Sequence, residues 1–363
     1  MTRYQTRRDK LRRQLKRQGM DSVLVTNFTN VTYLTGFTGD SSYLLVTATD
    51  EVMISDSRYT QQLEEECPGL DVIIRTSAIP MMASLAKLAK KTAVKNLAVE
   101  SQSMSLALFD QIDATLSGTN LLRSSGLVEG LREIKDTDEV QQIRDAIQLA
   151  ERTFAVIRAS LRPERTEKEV AYEIENQIRL FGGSGCSFPP IVAVGPRAAL
   201  PHAHPTDHQI KESGFVLIDW GARGHLYISD LTRVLVTGKV PAKLEQIYNV
   251  VLAAQQKAIS KIKPGALMSD VDNAARSVIA KAGYGKRFGH SLGHGIGLEV
   301  HEGPSLAPHQ ERPLKAGMVV TVEPGIYLPN WGGVRIEDDI LVTRNGHEVL
   351  SSVPKQFSDC FTN

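Results

Sequence analysis

Four carboxylates stand within or at the ends of apolar, strand-like runs in the second half of this chain. Asp219 follows FVLI, Asp230 interrupts YISDLTRVLV, Glu323 separates VVTV from Pro324-Gly325, and Glu337 follows GGVRI. An ionised group in such a run is costly to bury unless it is paired, hydrogen-bonded or bound to a cation. Any one of them alone reads as an ordinary strand-end residue. Four together call for a shared polar centre. His294, within Gly293-His294-Gly295, adds an imidazole where the backbone can approach closely. The chain is therefore read as bringing Asp219, Asp230, His294, Glu323 and Glu337 around two metal ions.

Chemistry is distributed unevenly. All nine histidines lie at or after His202, so imidazole chemistry is confined to the second half. A chain of 363 residues with 42% hydrophobic and 23% charged residues has room for two cores. A net charge of +1 gives no global reason to expect nucleic acid or a membrane surface as partner. Cys67, Cys186 and Cys360 are widely spaced and odd in number, which argues for a reducing compartment and against a disulfide framework or a zinc motif. The basic N-terminus, MTRYQTRRDKLRRQLKRQG, lacks an apolar signal core. It reads as an amphipathic helix with a solvated basic face ending at Gly19, in preference to an arginine-rich presequence.

Strand signals follow at residues 22–26, 71–76 and 96–100, with a hairpin turning at Thr49-Asp50 and helices near Met81 to Lys91 and Met104 to Leu116. Gly36 and Gly39 mark a loop after VTYLT. This α/β pattern gives way near Val128 to Asp136, setting expected domains at 1–128 and 135–355. The second opens with a capping box, Asp136 with Glu139, for a long helix stopped by Pro163; Thr166 with Glu169 caps the next, which ends at Gly182-Gly183. Lys263-Pro264 and Ser269-Asp270-Val271 repeat that pattern about a hundred residues later, ending near Gly283. Pro163 aligns on Pro264, and each helix precedes strands carrying two carboxylates. Two similar halves related by a pseudo-two-fold axis are expected, with the acidic groups at their centre.

The segments IDWGARGHLYISDLTR, GHGIGLEVHE, TVEPGIY and GGVRIEDD closely resemble the signatures of the creatinase/aminopeptidase P/prolidase family of pita-bread metallopeptidases. Asp230 follows Asp219 by eleven positions, as in the family pattern. ALPHAH matches a segment whose histidine, here His202, faces the active site, and TYLTGFTG and DSRYT resemble the smaller creatinase-type N-terminal domain. Two departures are Val234, where the family commonly has Thr, and the bulky Trp220, expected to narrow the site.

The resemblance implies an α/β N-terminal creatinase-like domain followed by an α+β pita-bread catalytic domain with internal pseudo-two-fold symmetry. It implies that Asp219 holds one metal, His294 with Glu323 the other, and Asp230 and Glu337 both. The mostly hard-oxygen shell suits Mn²⁺, with Co²⁺ or Zn²⁺ as alternatives. Glu323 is the expected general base and proton donor. His202 and His301 are expected at the substrate carbonyl, Arg335 at the ligands or a substrate carboxylate, and His290 behind them. The implied reaction is hydrolysis of the bond before proline in an Xaa-Pro dipeptide (prolidase) or a longer Xaa-Pro peptide (aminopeptidase P). The alternative is a pita-bread hydrolase acting on a non-peptide amide or amidine metabolite. A cytoplasmic homodimer is expected, with the Leu34 to Asp40 loop of one subunit near the other's site.

Overall fold

Thr2 accepts a hydrogen bond from the Gln5 amide and so caps the first helix, α1 (Arg3–Arg17). The computed structural model describes residues 2–362. Leu11 and Leu15 are buried as their spacing predicts, but the basic face is not uniformly solvated. Arg7 and Arg8 are buried and donate to the carbonyls of Tyr33 (2.9 Å) and Leu34 (2.7 Å), and Arg8 also pairs with Glu51. Those carbonyls lie in the last turn of a second helix, α2 (Phe28–Thr35), where no intrahelical donor remains. VTYLT is thus helical rather than the approach to a loop, because Asn27 caps α2 by accepting from the Thr29 and Asn30 amides. The expected Leu34 to Asp40 loop shrinks accordingly. Leu34 and Phe37 are fully buried, and only Thr38 and Asp40 in that stretch are exposed.

Strands β1 (Ser22–Val25), β2 (Tyr43–Thr47), β3 (Glu51–Asp56), β4 (Asp71–Arg75), β5 (Asn96–Glu100) and β6 (Asn120–Ser124) form one sheet in the order β4-β3-β2-β1-β5-β6. The β1–β2 and β2–β3 pairs are antiparallel and the rest parallel. The hairpin closes at Thr47 and Asp50 as expected. Helices α3 (Thr60–Glu66), α4 (Met81–Lys91), α5 (Leu106–Thr115) and α6 (Glu129–Arg132) complete this first unit, which ends at Arg132.

The second unit begins at Glu133. Its first two helices, α7 (Thr137–Ser160) and α8 (Glu167–Leu180), carry both capping boxes read from the sequence. Helices α9 (Leu244–Ile259) and α10 (Met268–Lys281) form the second pair. The repeat is geometrically regular: α8 and α10 each have 14 residues, and both their starts and their ends differ by 101 positions. The β-bridges flanking their N-termini, Thr166 to Gln209 and Leu267 to Pro313, share that offset on the helix side. The caps do not repeat. Leu267 occupies the N-cap of α10 and makes no side-chain bond, so Ser269 lies inside the helix instead of capping it.

Two short strands, β7 (Gly185–Cys186) and β10 (Ala222–Arg223), pair with each other. In the first half β8 (Ile191–Val194), β9 (Phe215–Trp220) and β11 (Leu231–Val236) form an antiparallel sheet with β9 central. In the second, β12 (Gly293–Gly295), β13 (Glu302–Leu306), β14 (Val319–Val322), β17 (Asp338–Val342) and β18 (His347–Val349) form a sheet in the order β13-β12-β14-β17-β18. The hairpin β15 (Gly325–Leu328) and β16 (Gly332–Arg335) lies between β14 and β17 in sequence. Val216, Ile218 and Trp220 pack with residues of α7 and α8, whereas Phe215 and Leu217 join a core shared with α9, α10 and β14. Strand alternation puts Asp219 on the face of Phe215 and Leu217, toward the second half of the unit.

Candidate metal centre and active site

The carboxylates stand where strands run out. Asp219 is the penultimate residue of β9, Asp230 immediately precedes β11, Glu323 separates β14 from β15, and Glu337 separates β16 from β17. All nine residues singled out in the sequence line one cavity of about 640 Å³: Asp219, Asp230, His294, Glu323, Glu337, His202, His290, His301 and Arg335. The tightest set is narrower. Asp230, His294 and Glu337 each offer a ligand atom within 4.8 Å of the others. Asp219 instead gives one oxygen to Arg335, and its Oδ1 is buried without a partner.

His294 owes its position to its neighbours. A Cβ on Gly293 would meet the Thr321 carbonyl oxygen at 2.1 Å, and one on Gly295 would meet that of Gly303 at 2.1 Å. Only glycines let β12 fit between β13 and β14, and a break in register at His294 and Gly295 re-aims the imidazole. Nδ1 lies 3.1 Å from the Gly295 carbonyl, which can only accept, so Nδ1 carries the proton and Nε2 presents a lone pair. That lone pair faces Glu323 Oε1 at 3.4 Å and Asp230 Oδ2 at 3.8 Å. Burial, then His301, holds the His294 pKa down at about 4, so the ring is neutral and adds no positive charge of its own to offset the carboxylates.

Each carboxylate is held above its usual range. For Asp230 the cause is burial, then repulsion from Glu337, Asp219 and Glu323; for Glu337 it is burial, then Glu323 and Asp219. Burial pushes Glu323 up to about 8 and also raises Asp219, with Arg335 opposing both shifts. Four crowded acids, a neutral imidazole lone pair aimed among them and an orphaned carboxylate oxygen fit a cation-binding donor set.

Behind the acids runs a hydrogen-bonded support that links Arg335 and His290 to Thr232 and Tyr327. Thr232 Oγ1 donates to Glu337 Oε2 at 2.7 Å and accepts from Arg335 Nε at 3.1 Å. Arg335 Nη1 donates to the Tyr327 hydroxyl at 2.9 Å, and that hydroxyl lies 2.9 Å from His290 Nε2. His290 Nδ1 lies 2.8 Å from the Ser291 carbonyl, which fixes its proton there and makes Tyr327 the donor to Nε2. Thr232 and Arg233, close to Asp230 in sequence, serve Glu337 and Asp338. Tyr327 was visible within TVEPGIY, but nothing in its local spacing says that its hydroxyl joins His290 to Arg335.

Trp220 corrects another expectation. It does not narrow the site: alternation turns it to the opposite face of β9, where it stacks on Phe154 with centroids 4.5 Å apart and donates to the Ala150 carbonyl at 3.0 Å. Val234 is buried in the strand core. Phe188, Pro189, Pro190 and Val300 give the cavity an apolar wall. His202 and His301 lie across the same space, and the His301 ring centroid is 4.4 Å from that of His294.

Residues 141–344 match the profile of Metallopeptidase family M24, and residues 7–134 that of the Creatinase/Prolidase N-terminal domain. The chain belongs to metallopeptidase family M24. This M24 peptidase accordingly combines a creatinase-type N-terminal domain with a pita-bread catalytic domain. It is 34% identical to an Xaa-Pro dipeptidase of Pyrococcus horikoshii, over 94% of this chain and 95% of the relative. Among solved structures, an Xaa-Pro dipeptidase from Bacillus anthracis superposes with a TM-score of 0.94 at 38% identity, covering 97% of this chain and 99% of the other. An X-Pro aminopeptidase from Thermotoga maritima superposes with a TM-score of 0.88 at 36% identity, covering 94% and 99%. Among the described residues no helix is long and apolar enough to cross a membrane.

Proposed function

We propose that this M24 peptidase hydrolyses the peptide bond preceding proline in Xaa-Pro dipeptides, with two divalent ions, Mn²⁺ foremost, held by Asp219, Asp230, His294, Glu323 and Glu337. The observation that carries this reading is the neutral His294 Nε2 aimed between Glu323 and Asp230, in a cavity that also has an apolar, proline-rich wall. The likeness to Xaa-Pro dipeptidases supports the substrate class. Divalent ions held there would supply the Lewis acidity that activates water and polarises a carbonyl.

The chain's own residues do the rest. Glu323 takes the proton from the attacking water and returns it to the departing proline nitrogen, which has no hydrogen of its own in the peptide. His202 and His301 steady the carbonyl oxygen as charge develops on it. Arg335 fixes Asp219 and, through Thr232, Glu337. The Phe188 to Pro190 wall excludes water around the proline ring. In this reading the chain works as a homodimer, in which the exposed tip at Thr38 and Asp40 completes the partner's site.

A second reading, an Xaa-Pro aminopeptidase acting on longer peptides, is favoured by the likeness to the Thermotoga maritima enzyme. Incubating Mn²⁺-loaded protein with one Xaa-Pro dipeptide and one longer Xaa-Pro peptide tests the choice. Cleavage of the dipeptide alone is expected; cleavage of the longer peptide supports the second reading. Cleavage of neither by metal-loaded protein defeats both.

A further inference from the structure

Arg233 is buried behind the acidic cluster and makes four hydrogen bonds. Its Nη1 donates to the carbonyls of Thr232 (2.9 Å) and Glu337 (2.6 Å), and its Nη2 to Asp338 Oδ1 (2.8 Å) and the Val353 carbonyl (2.7 Å). One guanidinium therefore joins the strand that follows Asp230, the junction that carries Glu337, and the chain after β18. Asp338 Oδ2 also accepts from Gln255 Nε2 at 2.9 Å and pairs with Lys355.

Asp339 makes a parallel link. Its Oδ2 accepts the Asp230 amide at 3.1 Å, while its own amide donates to Ser351 Oγ at 2.9 Å. Residues 351–355 are secured from outside as well. Tyr248 donates to the Lys355 carbonyl at 3.0 Å, and Ser352 Oγ donates to Glu151 at 2.8 Å. A segment without regular secondary structure is thus held by buried charges that abut both central carboxylates.

Buried ion pairs are a weak source of stability, because desolvation offsets most of their attraction. What they provide is fixed geometry, and carboxylates that repel one another need it. We propose that residues 351–355, with Arg233, Asp338 and Asp339, form a clasp that fixes the separation of Asp230 and Glu337 and so sets the affinity for divalent cations. The clasp rests on the reading of those two residues as metal ligands. Its members act as positioning residues: none of them lines the cavity.

The test uses Lys355→Met and Arg233→Lys in the full chain. Mn²⁺ affinity is measured by chelator competition, the visible absorption of Co²⁺-loaded protein is recorded, and the melting temperature of metal-free protein is followed. Supporting groups behind metal ligands typically contribute about 10–100-fold to affinity. Lys355→Met, at one remove, is expected to lose about tenfold and to alter the Co²⁺ band, with metal-free melting close to wild type. Lys355→Arg is expected to restore both. Arg233→Lys should lose more; if that variant does not fold, Lys355→Met decides. Wild-type Mn²⁺ affinity and an unaltered Co²⁺ band in folded Lys355→Met overturn the clasp alone. Wild-type protein that takes up no divalent ion overturns the reading of the site, and the clasp with it.

Discussion

Glu323→Gln separates the two roles proposed for one carboxylate, metal ligand and general base. The amide keeps the shape and one ligating oxygen, so it can still sit 3.4 Å from His294 Nε2 and 3.3 Å from the Thr321 hydroxyl. It cannot accept a proton. Loss of a positioned general base costs about 10²–10⁴ in rate, or about 2.7–5.4 kcal/mol at 1.36 kcal/mol per factor of ten. Loss of charge among the remaining acids also weakens cation binding, and excess Mn²⁺ compensates for that part only. Steady-state kinetics on an Xaa-Pro dipeptide, repeated at rising Mn²⁺, should give a kcat that levels off about 10²–10⁴ below wild type, with KM changed much less. Recovery of full kcat at saturating Mn²⁺ would make Glu323 a ligand only, with His301 the next candidate for the base.

Thr232→Val removes the hydroxyl shared by Glu337 and Arg335 at nearly constant volume. With about 1–3 kcal/mol lost per orphaned buried group, the melting temperature and the Mn²⁺ affinity should both fall; unchanged values would show that the hydroxyl is incidental. Asp230→Ala should abolish turnover and metal uptake, while circular dichroism and metal-free melting stay near wild type because a repelling charge has been removed; near-normal turnover would make Asp230 a mere strand-end residue. Metal-free protein should gain stability as the pH falls through 8. Glu323 is raised from 4.5 to about 8 in the fold, so between those values the folded state holds a proton that the unfolded chain has lost. Melting temperatures that rise toward pH 9 would contradict that sign.

Local signals read well from the sequence. The capping boxes at Asp136 and Thr166 use residues three apart, and the carboxylates ending apolar runs announce themselves by cost alone. The 101-position repeat could be read from Pro163 and Pro264, yet the α10 cap was misplaced because Leu267, not Ser269, holds the turn. What stayed hidden depends on partners distant in sequence. Arg7 and Arg8 look solvated until the carbonyls of Tyr33 and Leu34 stand over them. Trp220 looks like an obstruction until alternation along β9 sends it to Phe154. The links from Thr232 to Glu337 and from Tyr327 to His290 span 105 and 37 residues, beyond any helical or strand period.

Asp219, Asp230, His294, Glu323 and Glu337 are proposed to hold two ions. The most direct test is a Mn²⁺ titration of metal-free protein, with bound metal counted per chain and turnover on an Xaa-Pro dipeptide followed in parallel. Uptake should approach two ions per chain, with turnover completed as the second is bound. Firm saturation at one ion with full turnover would contradict a two-ion centre.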